Sequence, residues 1–209
     1  MSSHGAIAPY DVVKRVLDVL AAGVGLTVLS PVMAGVAIAV RANLGRPVLF
    51  RQPRPGKDGR TFTLFKFRSM IPVDTAKGLV TDADRLTSFG ELLRASSLDE
   101  LPTLWNVLRG DMSIVGPRPL LVEYLDRYTP EQSRRHEVRP GITGLAQVSG
   151  RNEVPWSDRL MLDARYVRER SFMLDAKIIC QTFYVVMTRQ GVAEPGQSTS
   201  SFFDGEPKT

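Results

Sequence analysis

Residues 19–40 read VLAAGVGLTVLSPVMAGVAIAV, 22 positions without a charged side chain. As one straight helix the run would extend about 33 Å, enough to cross a hydrocarbon core of roughly 30 Å. Ser30-Pro31 interrupts it near the middle. A proline inside a helix removes an amide donor and clashes with the preceding turn, at a cost of about 3 kcal/mol. In lipid the freed carbonyl needs another partner, and the Ser30 hydroxyl is a candidate. Gly23, Gly25 and Gly35 loosen the same stretch. The run is longer than the apolar part of a signal peptide, about 7–15 residues.

Lys14 and Arg15 precede this run, and a basic stretch beginning at Arg41 follows it. The tendency of cationic flanks to stay in the cytoplasm applies to both ends. A helix-break-helix that enters and leaves on one face satisfies both flanks, each half reaching about 15–18 Å deep. A spanning helix with a tolerated kink is the other arrangement. The re-entrant form is the working expectation.

Residues 41–68 hold eight cations against Asp58 alone, a local +7 in a chain whose net charge is +5. Such a cluster beside an apolar segment suits anionic headgroups or phosphate. The chain has 209 residues, room for one domain with a core, and 43% hydrophobic residues exclude a disordered protein. A single cysteine, Cys180, excludes an internal disulfide and reads as a small core residue. His4 and His136 have no companion at metal-ligand spacing and read as surface residues.

The expected fold is α+β and mainly helical. A β-hairpin pairs residues 48–52 with 61–68 across the turn-rich Pro53-Arg54-Pro55-Gly56-Lys57-Asp58-Gly59. It carries Lys66 and Arg68 on one side of the pleat. Residues 71–81 read as a loop. Helices are expected over 82–95, 100–108, 120–128, 157–168 and 172–189, with loops at 110–119, 139–144 and 150–152. The last helix is amphipathic and suits either a membrane interface or a core. Three parts are expected: an N-terminal membrane segment over 1–41, a compact catalytic domain over 42–191 and a disordered tail over 192–209.

Ser97-Leu98-Asp99-Glu100-Leu101-Pro102 is the chemically richest stretch. Ser97 and Glu100 have capping-box spacing, but Pro102 fits a helix starting at Asp99 better than one capped by Ser97. Both alternatives put two carboxylates at a helix N-terminus, which helps keep Asp99 ionised. An ionised aspartate can attack phosphorus and form an acyl phosphate. Glu100 points about 100° away around a helix and suits a divalent ion or proton removal. Mg²⁺ held by Asp99 and Glu100 with substrate phosphates is the usual way to neutralise a diphosphate. Lys66, Arg68, Arg94, Arg118, Arg139 and Arg151 are the available phosphate-binding cations, most of them beside Gly or Pro.

These residues resemble the bacterial sugar transferases, the monotopic phosphoglycosyl transferases. The resemblance rests on Lys66-Phe67-Arg68-Ser69-Met70, on Arg94 with residues 97–107, and on Gly110-Asp111-Met112-Ser113 and Gly116-Pro117-Arg118-Pro119. Arg139-Pro140-Gly141-Ile142-Thr143-Gly144 and Gly150-Arg151-Asn152 extend it, and it runs from about residue 14 to 191. Ser30-Pro31 matches the family's re-entrant break. The resemblance implies a minimal catalytic unit on the cytoplasmic face of a bacterial inner membrane, in contact with membrane lipid. It implies transfer of a sugar-1-phosphate from a UDP-sugar to undecaprenyl phosphate, releasing UMP and starting glycan synthesis. The implied course is ping-pong, through a phosphosugar on Asp99.

Three other functions compete. A membrane-bound scaffold would use only the basic face. A Mg²⁺-dependent nucleotide-sugar diphosphatase would give the phosphosugar to water. A nucleic-acid module is disfavoured because the aromatics near the basic cluster alternate as a strand core and no binding motif accompanies them. The apolar surfaces also suit a homodimer. The identity of the sugar is not legible.

Overall fold

The computed structural model describes residues 9–150, 154–188 and 202–205. Helix α1 (Pro9–Val28) and helix α2 (Ser30–Leu44) meet at a 62° bend. Pro31 lies in the first turn of α2, so the carbonyl lacking its amide is that of Thr27, four residues back. The Ser30 hydroxyl donates to that carbonyl at 2.8 Å. The Leu29 and Met33 amides keep their partners at Gly25 and Leu29. The break therefore leaves few backbone groups bare. Neither helix alone is long and apolar enough to cross a membrane, whereas the bent pair passes by length and composition.

Asp11, Lys14, Arg15 and Asp18 recur at helical spacing on one face of α1. That face turns inward. Arg15 donates to the Val107 and Leu108 carbonyls at 2.7 and 3.0 Å, Asp18 accepts the Ile114 amide at 3.0 Å, and Lys14 pairs with Asp175 at 2.8 Å. Val13, Leu17, Leu20, Val24 and Val28 face outward and are about half exposed or more. The helix is thus inverted relative to one on a water-soluble domain.

Strands β1 (Leu49–Pro55) and β2 (Thr61–Phe67) pair antiparallel, Leu49 opposite Phe67 and Pro55 opposite Thr61. The first strand continues through Pro53 and Pro55, farther than expected. It is an edge strand, where a missing amide costs nothing in the ladder. Helix α5 (Thr103–Arg109) closes the free edge of β2 with side chains. Buried Asn106 accepts from the Phe65 amide at 3.1 Å and donates to the Thr63 carbonyl at 2.7 Å; Thr103 donates to the Phe65 carbonyl at 3.1 Å.

The helix expected over 82–95 is two, α3 (Asp82–Arg85) and α4 (Ser88–Ala95). Thr87 divides them, because its hydroxyl caps α4 by accepting the Gly90 amide at 3.2 Å. Gly90 packs so closely that a Cβ there would lie 1.9 Å from the Ser69 carbonyl oxygen. Within the loop 71–81 there is one 3₁₀ turn, Thr75–Lys77. The segment expected to be helical over 120–128 is a 3₁₀ turn at Val122–Arg127.

Two stretches read as loops form strands: β3 (Ser113–Val115) and β4 (Gly141–Thr143) pair in parallel. Short helices α6 (Pro130–Ser133) and α7 (Leu145–Val148) precede α8 (Trp156–Glu169) and α9 (Phe172–Thr188). On α9, Ile178 and Val185 are buried while Phe183 and Met187 are largely exposed. Cys180 lies on the exposed side, contrary to the core position expected of it. His136 is half-buried, its Nδ1 3.3 Å from the Gly56 carbonyl; burial, then the charge of Arg135, pull its pKa down to about 4. His4 lies outside the described residues. Of the tail expected over 192–209 only residues 202–205 are described, and there Phe203 is 3% exposed among Tyr124, Tyr128 and Trp156.

Asn106→Ala strips partners from two strand groups under a buried helix. We expect a loss of at least about 2 kcal/mol in stability, read as a lower denaturation midpoint with unchanged slope in detergent.

Candidate active site

Helix α4 ends at Ala95, and Ser97 turns the chain sharply in the left-handed region, φ 57° and ψ 14°. A non-glycine residue rarely adopts that conformation. The Ser97 amide still reaches the Arg94 carbonyl at 3.1 Å. A single 3₁₀ turn, Leu98–Glu100, then presents both carboxylates ahead of α5, and Ser97 makes no capping bond with its side chain. Pro102 occupies the position before α5, so neither expected helix start is the observed one.

The adjacent carboxylates meet opposite environments. Both nearby cations converge on one oxygen of Glu100, Lys66 Nζ at 2.5 Å and Arg118 Nη2 at 3.0 Å from Oε1. Asp99 is 8% exposed, and among the described residues no hydrogen bond reaches its carboxylate. Burial, then the charge of Glu100, push the Asp99 carboxyl above the usual carboxylate range, against Lys66, Arg118 and Arg94. Burial also acts to raise Glu100, but Lys66 and Arg118 together outweigh it and hold its pKa low. Burial lowers the pKa of Lys66 despite Glu100. The expected help from a helix N-terminus does not decide the charge of Asp99; burial does.

The expected cations divide. Lys66, from β2, and Arg118 line an open cleft of about 400 Å³ with Glu100 and Thr103. Arg94, from α4, is anchored by its Nε to Ser69 Oγ at 2.9 Å, and its charge acts on Asp99. Arg68 leaves the group. It follows the last residue of β2, is buried, and donates to the Leu44 and Arg46 carbonyls at the end of α2. The Arg68 amide still donates to the Val48 carbonyl at 2.9 Å, so the hairpin ladder reaches it, but its guanidinium is taken up by those two carbonyls. Arg139 donates to the Gly110 carbonyl at 2.9 Å and lines a second cleft, of about 450 Å³, with the inward charges of α1. Arg151 lies outside the described residues.

Sequence reasoning missed two arginines. Arg54 lines the Glu100 cleft; the two-residue alternation of the hairpin, counted back from Lys66, would have placed it on that face. Arg135 is buried beside Asp163 at 2.8 Å and donates to the Arg118 carbonyl at 2.6 Å, fixing the backbone that carries Arg118. No sequence signal pointed to it.

Among the described residues no three His, Cys, Asp or Glu side chains gather as a metal site. A Mg²⁺ ion that takes most ligands from substrate phosphates and water needs only one or two carboxylates, and the contacts of Glu100 use Oε1 alone, leaving Oε2 without a hydrogen bond among the described residues. The field at Asp99 is testable by isotope-edited carboxylate titration. Arg94→Gln removes a cation that favours the ionised form, so the Asp99 pKa should rise. Glu100→Gln removes an anion that opposes it, so the pKa should fall.

The family model described as bacterial sugar transferase matches residues 9–189. The chain is 47% identical over 195 residues to an uncharacterized sugar transferase, EpsL, of Bacillus subtilis, covering 93% of this chain and 96% of that one. It is 43% identical over 185 residues to the UDP-glucose:undecaprenyl-phosphate glucose-1-phosphate transferase of Xanthomonas campestris, covering 83% of this chain and 38% of that protein. The protein of the same description from Caulobacter vibrioides is 40% identical over 190 residues, covering 85% and 71%. The chain therefore spans nearly all of the first relative and well under half of the second. With a match that runs through the bent helix pair, the hairpin and the paired carboxylates alike, the chain belongs to the bacterial sugar transferase family.

Proposed function

We propose that this chain transfers a sugar-1-phosphate from a UDP-sugar to a polyprenyl phosphate such as undecaprenyl phosphate, with Asp99 as nucleophile. The observation that carries the reading is the split between the two carboxylates: Glu100 neutralised by two cations, Asp99 buried with no hydrogen bond among the described residues. The descriptions of the Xanthomonas and Caulobacter relatives name the same donor and acceptor classes.

In the first half-reaction a carboxylate oxygen of Asp99 bonds to the β-phosphorus. The bond from that phosphorus to the bridging oxygen breaks, and its electron pair leaves on UMP. In the second, an oxygen of the lipid phosphate bonds to the same phosphorus. The bond to Asp99 breaks and the carboxylate is restored. The charges balance with UMP and the lipid phosphate as dianions and one charge on each phosphate of the diphosphates, so neither step needs a net proton transfer. Glu100, held ionised by Lys66 and Arg118, serves as an electrostatic anchor without acting as a base. Arg94 and Lys66 face the charge that develops at phosphorus. Asp99 and Glu100 would hold Mg²⁺, which when bound supplies positive charge against the diphosphate.

The bent helix pair is proposed to enter one leaflet of the cytoplasmic membrane and return, with residues 42–191 as the catalytic part on the cytoplasmic face. The exposed apolar side of α1 and that of α9 support this placement. It brings the cleft to headgroup level, where a lipid phosphate and a nucleotide sugar can meet.

Asp99→Asn should abolish UMP release even without lipid acceptor, and Glu100→Gln should lower turnover at least about 100-fold. Normal UMP release by Asp99→Asn would contradict the nucleophile. Turnover independent of lipid phosphate, with sugar phosphate appearing in water, would assign the chain to the diphosphatases. For topology, Ser3→Cys and Asn43→Cys in a Cys180→Ser background should both react with a probe confined to the cytoplasmic side. Labelling from opposite sides would contradict the re-entrant arrangement.

A further inference from the structure

The Glu100 cleft is lined by three cations and one carboxylate among the described residues: Arg54, Lys66, Arg118 and Glu100. Lys66 and Arg118 are both engaged by Glu100. Arg54 has no carboxylate partner among the described residues. Its Nη2 donates to Gln52 Oε1 at 2.5 Å, and its Nε is buried without a partner. A buried N–H left unpaired is costly, and native structures keep such groups where something else completes them. Burial, with the charge of Arg118 next, pulls the Arg54 pKa down to about 10. An anion entering the cleft would relieve both effects.

The position of Arg54 is well defined. Arg54 lies opposite Phe62 in the hairpin, Gln52 opposite Leu64, and Phe50 opposite Lys66. Alternation therefore puts Arg54 and Lys66 on one face of the sheet. Pro53 and Pro55 flank Arg54 and restrict the backbone on both sides. With Glu100 counted, the cleft carries a net charge near +2, which suits a nucleotide diphosphate ester with one negative charge on each phosphate.

The charges that act most strongly on Asp99 are those of Glu100, Lys66, Arg118 and Arg94; Arg54 is not among them. The phosphorus that Asp99 attacks belongs near that group. Arg54 lines the same cleft, close enough to Arg118 for the two charges to interact.

We propose that Arg54 binds the donor phosphate that is not transferred, the one that departs on UMP. The assignment rests on the transfer reading above and adds to it a residue for the leaving group. The guanidinium fork would hold this phosphate as the bridging bond breaks and charge accumulates on it.

The test is titration of UMP, and separately of uridine, into the full chain in detergent, for wild type, Arg54→Gln, Arg54→Lys and Arg51→Gln. Arg51 shares the strand but alternates to the opposite face and lies over the Phe65 ring. Arg54→Gln should weaken UMP by about 10- to 100-fold, the worth of one hydrogen bond to a charged group. Uridine binding should be unchanged. Arg54→Lys should fall between, and Arg51→Gln should match wild type. In turnover, KM for the UDP-sugar should rise while KM for the lipid phosphate stays within about twofold. If Arg54→Gln does not fold, Arg54→Lys carries the comparison of UMP with uridine. Unchanged UMP affinity, an equal loss for uridine, or a rise confined to the lipid phosphate would overturn the assignment. Failure of the wild type itself to bind UMP would instead sink the transfer reading, and Arg54 with it.

Discussion

Lys66 and Arg118 converge on a single oxygen of Glu100, and the character of the whole site follows from that contact. Two adjacent carboxylates in a poorly solvated cleft repel each other, and one of them needs compensation. Two cations supply it to Glu100. Asp99 is then left buried, with no hydrogen bond among the described residues, its pKa raised by burial and by its neighbour. Sequence neighbours of the same chemical type thus have their pKa values pushed apart because their surroundings differ. The divergence needs Lys66 and Glu100 in fixed register. Asn106 and Thr103 provide it by joining α5 to the edge of β2.

Contacts of the same kind tie the site to the bent helix pair. Arg15 holds the last carbonyls of α5, and Asp18 holds the amide of Ile114 at the start of the path to Arg118. The charges of α1 face the protein while its valines and leucines face outward, so the orientation of α1 and the position of α5 are coupled.

Much of this was legible in the sequence where one residue type has one physical meaning. Ser30-Pro31 marked the break, and the turn-rich Pro53–Gly59 run marked the hairpin. The paired carboxylates Asp99 and Glu100 marked the stretch that the fold brings beside Lys66 and Arg118. The helices α8 and α9 followed from periodicity. The failures were local. β3 (Ser113–Val115) and β4 (Gly141–Thr143) are three residues each, too short to show a period, and pair only because two distant loops meet. Thr87 was read as a passing helix residue, although its hydroxyl starts a new helix. Arg68 was read as a phosphate ligand from its charge, whereas its guanidinium binds the Leu44 and Arg46 carbonyls. Arg54 was counted as charge and never placed, because only the strand register reveals which way it lies. Cys180 was taken for core because α9 is apolar on both of its sides, and periodicity cannot tell a buried apolar stripe from an exposed one.

The central claim is that Asp99 becomes bonded to phosphorus during turnover. Intact-protein mass spectrometry after incubation with a UDP-sugar and no lipid acceptor tests it most directly. The account predicts a mass increase equal to one sugar phosphate, mapped to the peptide carrying Asp99 and lost on adding polyprenyl phosphate. An unmodified Asp99 in protein that is releasing UMP would contradict it.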